Sequence, residues 1–267
     1  MQSQVLVRHS GIWQLTSVVL PTKDGCVVID PGYFPRELDE LAQLAAQHGG
    51  AQAVVFTHGH WDHVIGHAHF PQVPVWSSPS LVQAVTQGLP VADKNLAEAQ
   101  EFDGRWYVPR PHGYAWPQPP QLRALAEGQV LTAGELQLQA MLLPGHSSDG
   151  LALLEPQRGL LLVGDYLSPC EIPFVEDAAA YVTTLQRLLG LCDQVAQVLP
   201  GHGPPLSASQ ARAIAQADLQ YLQQLLACQQ RGAVTEALAL TLPRAAQVPG
   251  MAQHHLDNCR AVGLTLP

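Results

Sequence analysis

The apolar run Ala53-Val54-Val55-Phe56 opens directly into Thr57-His58-Gly59-His60-Trp61-Asp62-His63. A short apolar run ending in polar residues reads as a buried strand that stops at a loop. The loop then holds four side chains of metal-ligand type within the six positions 58–63. In extended backbone, residues i and i+2 point the same way, so His58 and His60 can share one ion. Asp62 and His63 turn onward and can hold a neighbouring one. Imidazole with carboxylate suits zinc and other first-row ions.

Three more residues sit the same way. His146 lies in Leu-Leu-Pro-Gly-His-Ser, Asp165 in Leu-Leu-Val-Gly-Asp-Tyr and His202 in Val-Leu-Pro-Gly-His-Gly. Each follows an apolar run and a glycine, which lets the backbone turn tightly beside a ligand. His146 can complete the first ion's shell, and His202 the second's. Asp165, with two oxygens, can bridge the pair. Two divalent ions about 3.5–4 Å apart can share a water, lower its pKa and clamp an attacked group. Asp62 can also carry a proton as the tetrahedral species collapses.

Around these positions the chain alternates strand and helix patterns. Strands are predicted at 5–7, 13–20, 26–29, 53–56, 73–76, 136–143, 151–154, 160–163 and 195–199. Helices are predicted at 35–48, where Leu38, Leu41, Leu44 and Ala45 repeat at helical spacing before Gly49-Gly50, and at 64–70, 79–87, 175–190 and 207–231, with two shorter pieces to the end. Residues 93–120 read as irregular because prolines crowd positions 109–120. That stretch carries Phe102, Trp106, Tyr107, Tyr114 and Trp116, as a lid over a site or an oligomer contact.

The formal net charge of -9 and the lack of any Lys/Arg-rich block argue against a nucleic-acid or anionic-membrane partner. No run approaches the ~20 apolar residues that span a bilayer, and the N-terminus lacks a signal-peptide pattern, so a cytoplasmic protein is expected. The five cysteines are widely spaced without a CxxC pair, which indicates neither a zinc ribbon nor a disulfide framework. One domain over 1–267 is expected, with a helical tail at 203–267 packed on it and a homodimer as a possible assembly.

His58-x-His60-x-Asp62-His63, followed by His146, Asp165 and His202, resembles the metallo-β-lactamase superfamily from Asp30 to His202. The resemblance implies an α/β fold, the four-layer αβ/βα metallo-β-lactamase sandwich with a helical C-terminal tail. It implies that His58, His60 and His146 bind one metal and that Asp62, His63 and His202 bind the other, with Asp165 bridging. The implied cofactors are two divalent metal ions, zinc by ligand type, with manganese or iron as alternatives. Aspartates at 62 and 165 with histidine at 202 are similar to the glyoxalase II, lactonase and tRNase Z side of the superfamily. Asp30, in Val-Ile-Asp-Pro-Gly, would buttress the ligand loop from outside the metal shell.

The expected function is binuclear metal-dependent hydrolysis of a small ester, thioester or lactone. The alternatives are a phosphodiesterase on the same site, a mononuclear-iron oxidoreductase of the persulfide dioxygenase type and a non-catalytic binding protein. Departures from glyoxalase II leave the substrate open: Ser-Ser-Asp-Gly follows His146, and no glutathione-gripping residues are evident in the tail. Among the remaining candidates, His67 and His69 read as a helix face, and His254 and His255 as solvated. Tyr166 reads as a packing residue with an oxyanion donor as the alternative. Trp61 either shapes the pocket mouth or wedges the loop against the core.

Overall fold

The computed structural model describes residues 4–244 and 250–266. The strands form two six-stranded mixed sheets, one from the first six strands and one from the last six. By internal contacts the chain divides into two compact units. One comprises residues 1–142 and 151–155, the other residues 143–150 and 156–267.

In the first unit, β1 (Leu6–His9), β2 (Thr16–Thr22) and β3 (Gly25–Ile29) pair antiparallel. Then β4 (Ala51–Val55), β5 (Val75–Ser77) and β6 (Leu122–Ala124) add in parallel. All residues of β2 and β3 are buried, the polar Thr16, Ser17 and Thr22 of β2 included. The strand predicted from 13 starts only at Thr16, because Trp13 and Gln14 take left-handed backbone with φ of 46° and 55°. Helix α1 (Pro35–Gln47) crosses between β3 and β4 and buries Leu38, Leu41 and Ala45. Proline at its first turn and Gly49-Gly50 after its end set its limits. A one-turn helix α2 (Trp61–Val64), continued as 3-10 turns over Ile65–His69, and α3 (Pro79–Thr86) follow.

The region 93–120 corrects the sequence reading. Its first half belongs to α4 (Pro90–Trp106), a 17-residue helix that buries Ala92, Asn95, Ala99 and Asp103. The prolines that suggested irregularity all lie beyond its end, and Pro90 sits where a helix tolerates it. Trp116, expected in an open loop, is buried and donates its indole N–H to Ala92 O at 3.0 Å. The unit also holds β7 (Val130–Ala133), β8 (Leu136–Leu142) and β9 (Leu151–Glu155), paired antiparallel in chain order. β6 and β7 are too short to register as periodic patterns.

The second unit contains β10 (Leu160–Leu162), which pairs in parallel with β11 (Gln197–Leu199), and β12 (Leu206–Ser207) antiparallel to β11. Helix α5 (Ala178–Leu191) starts three residues after its predicted position because Asp177 caps it, accepting from Ala180 N–H. Helix α6 (Ala208–Arg231) begins with a capping box between Ser207 and Gln210 and stops at Gly232, φ 63°. It packs on α5, with Tyr181, Leu185 and Leu188 of one and Ala211, Ala215 and Leu222 of the other buried. Helices α7 (Val234–Leu238) and α8 (Met251–Ala261) complete the tail. Among the described residues, no helix is long and apolar enough to cross a membrane.

Candidate metal centre

In the first unit, β3 and β4 end side by side, and the junction is tied by Asp30. Its backbone N–H donates to Val55 O at 3.0 Å, and its carboxylate is nearly fully buried. Oδ1 accepts Thr57 N–H at 2.8 Å, and Oδ2 accepts the Thr57 hydroxyl at 2.7 Å. Oδ2 also lies 3.0 Å from Nδ1 of His63, itself wholly buried. A carboxylate accepts only, so His63 carries its proton on Nδ1 and turns the Nε2 lone pair outward. The Thr57 hydroxyl spends its one proton on Asp30, so at 3.2 Å from His58 Nδ1 it accepts, and His58 too is held as the Nδ1–H tautomer.

The ligand atoms of His58 and His60 lie within 4.8 Å of one another, and so do those of Asp62 and His63. Asp62 and His63 belong to the first turn of α2, which the sequence reading began only at Val64. Trp61 wedges rather than lines. Its ring lies edge-on to Tyr33 at 4.8 Å and to Trp13 at 5.5 Å, and packs beside Phe102 at 5.0 Å.

In the second unit, His146, Asp165 and His202 come together. Nε2 of His146 and Nε2 of His202 each lie 3.4 Å from the same oxygen, Oδ2 of Asp165. That is too long for a charge-assisted hydrogen bond of about 2.7–2.9 Å. It matches the roughly 3.4 Å edge of a tetrahedron of N and O ligands about 2.1 Å from zinc. His146 Nδ1 faces Phe174 O at 3.1 Å, which can only accept, so this ring too presents Nε2. The residues present therefore fit a divalent ion by donor type, tautomer and spacing.

Gly145 and Gly164 bear out the expected tight turns, with φ of 132° and 56°. A Cβ on Gly145 would stand 2.4 Å from the backbone of Tyr181. The His146 loop is clasped at several points. Its backbone N–H donates to the Tyr166 hydroxyl at 2.8 Å, which donates in turn to Leu143 O at 3.0 Å. Tyr166 is thus a packed, doubly bonded residue rather than an oxyanion donor, and burial pushes its ionisation well up. Gly145 O accepts the N–H groups of Glu176 and Asp177, both at 2.9 Å.

His67 bonds Val64 O through Nδ1, and His69 stands against Asp39 and His112, so both serve packing. His255 corrects the expectation of a solvated side chain. It is buried, with Nδ1 2.8 Å from the Tyr221 hydroxyl and Nε2 2.9 Å from Ala237 O. The sequence reading missed Thr57 as the hub of the Asp30 network, although the residue is visible as a polar strand end. It also missed Asp103, which accepts from Tyr33, Tyr114 and Arg110 at 2.6–3.0 Å. No periodic pattern marks Asp103, since Arg110 and Tyr114 lie in the irregular stretch after α4 and Tyr33 is 70 residues away.

Histidines and aspartates delivered at strand ends, with one carboxylate oxygen flanked by two imidazoles, define a candidate metal-binding protein of α/β type. A model of the metallo-beta-lactamase superfamily matches residues 11–226, and the chain belongs to that superfamily. The chain is 32% identical over 196 residues to acyl-coenzyme A thioesterase MBLAC2 of Gallus gallus, covering 66% of this chain and 68% of that protein. It is 25% identical over 214 residues to atrochrysone carboxyl ACP thioesterase of Aspergillus fumigatus, covering 78% of this chain and 58% of that one. Among solved structures, TTHA1623 in a di-iron-bound form is 28% identical with a TM-score of 0.54, over 77% of this chain and 96% of that one. A metallo-beta-lactamase family protein of Thermus thermophilus shares the fold at 18% identity and a TM-score of 0.67, over 97% and 93%. The fold is thus the αβ/βα sandwich of this superfamily, whose members bind divalent metals, and the protein is a hydrolase.

Proposed function

We propose that the chain is a binuclear metal-dependent thioesterase, with small esters and lactones as related substrates. The observation that carries this reading is the similarity, at 32% identity, to a protein named as an acyl-coenzyme A thioesterase. In this reading His58, His60 and His146 hold one ion, Asp62, His63 and His202 the other, and Asp165 reaches both. Residues 1–267 then act as one functional domain. Two ions so held would activate a shared water and polarise the substrate carbonyl.

The chain's own groups supply the rest. Asp30 and Thr57 fix the tautomers of His63 and His58, so the lone pairs face the site before any ion arrives. In this reading Asp62 would carry the proton from water to the departing sulfur as the carbon–sulfur bond breaks, leaving a carboxylic acid and a thiol. Zinc is the proposed metal. Iron is the second reading, favoured by the similarity to TTHA1623, solved in a di-iron-bound form.

The test joins metal analysis of the purified protein with a substrate panel. The panel holds an acyl-coenzyme A, a glutathione thioester, p-nitrophenyl acetate, a lactone and bis-p-nitrophenyl phosphate. Two metal ions per chain and a kcat/KM highest on a thioester are expected. Turnover of the phosphodiester alone would overturn the carbonyl reading, and one ion per chain the binuclear one.

A further inference from the structure

The C-terminal tail grips one short piece of backbone, residues 171–175, at four points. The Arg244 guanidinium donates to Glu171 O at 2.7 and 2.9 Å. Ile172 N–H donates to the Met251 sulfur at 3.4 Å. Asn258 on α8 then takes both sides of Phe174. Its amide nitrogen donates to Pro173 O at 2.6 Å, and its amide oxygen accepts Val175 N–H at 3.1 Å. Between these two anchors lies Phe174 O, the acceptor that faces His146 Nδ1. The Phe174 ring is held as well, 4.0 Å from the ring of His254 on the same helix.

Asn258 is buried and is itself fixed in rotation. Its nitrogen also donates to the Tyr221 hydroxyl at 3.1 Å, and that hydroxyl is 2.8 Å from His255 Nδ1. His255 Nε2 faces Ala237 O at 2.9 Å, a pure acceptor, so Nε2 bears the proton and Nδ1 accepts from Tyr221. Each donor from Asn258 through Tyr221 to His255 has an acceptor, which leaves the Asn258 amide no competitive flipped orientation. A ring nitrogen's partner sets which nitrogen of an imidazole is left to bind a metal, and how the ring is aimed. The anchors of that partner therefore act on the metal from a distance.

We propose that Asn258 is a positioning residue for the metal centre: by bracketing Phe174 it holds the carbonyl that orients His146, so the C-terminal helix is part of the site's scaffold. This rests on the reading of His146 as a metal ligand. It gives the tail a role in metal retention, which packing of α8 alone would not require.

The test measures zinc affinity of the full chain by chelator competition, with melting temperature recorded on the metal-free protein. Asn258→Ala is expected to weaken zinc binding by about 10–100-fold, the range for losing a partner outside the ligand shell. Ser78→Ala, which removes the N-cap of α3 in the first unit, serves as the control and should leave affinity unchanged while lowering the melting temperature. Met251→Leu keeps the core volume and removes only the sulfur acceptor, so it folds even where Asn258→Ala does not. It should weaken zinc by about two- to threefold, the scale of one weak hydrogen bond. His146→Ala separates the two layers of the argument. Zinc affinity unchanged in Asn258→Ala or Met251→Leu but lost in His146→Ala would overturn the positioning role and leave the metal reading standing. Affinity unchanged in His146→Ala would overturn both.

Discussion

Replacing Asp30 by asparagine separates what this residue does for the fold from what it does for the metal. Asp30 is almost fully buried and sits at φ 45°, a left-handed conformation that asparagine tolerates and alanine does not. Its carboxylate takes three donors: Thr57 N–H, the Thr57 hydroxyl and His63 Nδ1. In Asp30→Ala, Thr57 N–H and His63 Nδ1–H lose this acceptor, at about 1–3 kcal/mol each. The left-handed backbone adds about 1 kcal/mol more. The sum is about 5 kcal/mol, or a melting temperature lower by roughly 10–20 °C at about 2–4 °C per kcal/mol.

Asp30→Asn keeps the volume, the backbone and one acceptor for Thr57 N–H. Its NH2 group then faces His63 Nδ1, and two donors cannot share that contact. The imidazole answers by moving its proton to Nε2, the nitrogen that would face the metal in the proposed site. The expected outcome is a stability loss of only about 1–2 kcal/mol with zinc affinity down about 10–100-fold. Chelator competition, thermal melting and nitrogen-15 NMR of the His63 ring read the three quantities. Wild-type zinc affinity in Asp30→Asn, with the His63 proton still on Nδ1, would refute the tautomer argument.

Three further predictions concern the frame around the site. Gly145→Ala drives a Cβ to 2.4 Å from Tyr181 at a φ of 132°; calorimetry should show a loss of about 2–4 kcal/mol, and dialysed protein should retain less zinc. Asp103→Leu strands the buried Arg110 guanidinium and should cost about 3–5 kcal/mol in denaturant melts, while adding Arg110→Met should recover much of it; no recovery would mean that the pair is not the source of the loss. Burial lowers the pKa of His255 below its ordinary 6.5. The unfolded chain therefore binds that proton first, and the stability His255 contributes is present above about pH 6.5 and lost as the pH falls through the folded-state value. Metal-free wild type should lose melting temperature between pH 6.5 and 5 more steeply than His255→Gln, and parallel curves would exclude His255 as the source.

Much of the site was legible in the chain because it is built from local geometry. A strand end followed by ligands at i, i+2, i+4 and i+5 is a property of the backbone itself, and so is a glycine before His146 or Asp165. The strands and helices with strong periodicity, such as α1, α6 and β8, emerged for the same reason. The helix α4 did not, because prolines beyond position 106 masked a helical pattern that ends just before them. Neither β6 nor β12 is long enough to show a period, and each exists because a neighbouring strand supplies its hydrogen bonds.

The sequence by itself determined the donor chemistry: seven histidines and aspartates at strand ends, in an order that names the superfamily. Tertiary structure decided how those donors are prepared. Asp30 and His63 are 33 residues apart, and Phe174 O and His146 Nδ1 are 28 apart. Asn258 reaches Pro173 across 85. Which nitrogen of an imidazole carries its proton depends on the acceptor opposite it, and an acceptor brought from so far along the chain leaves no local signature. The candidate ligands can be read from the chain, but their tautomers and their aim belong to the fold.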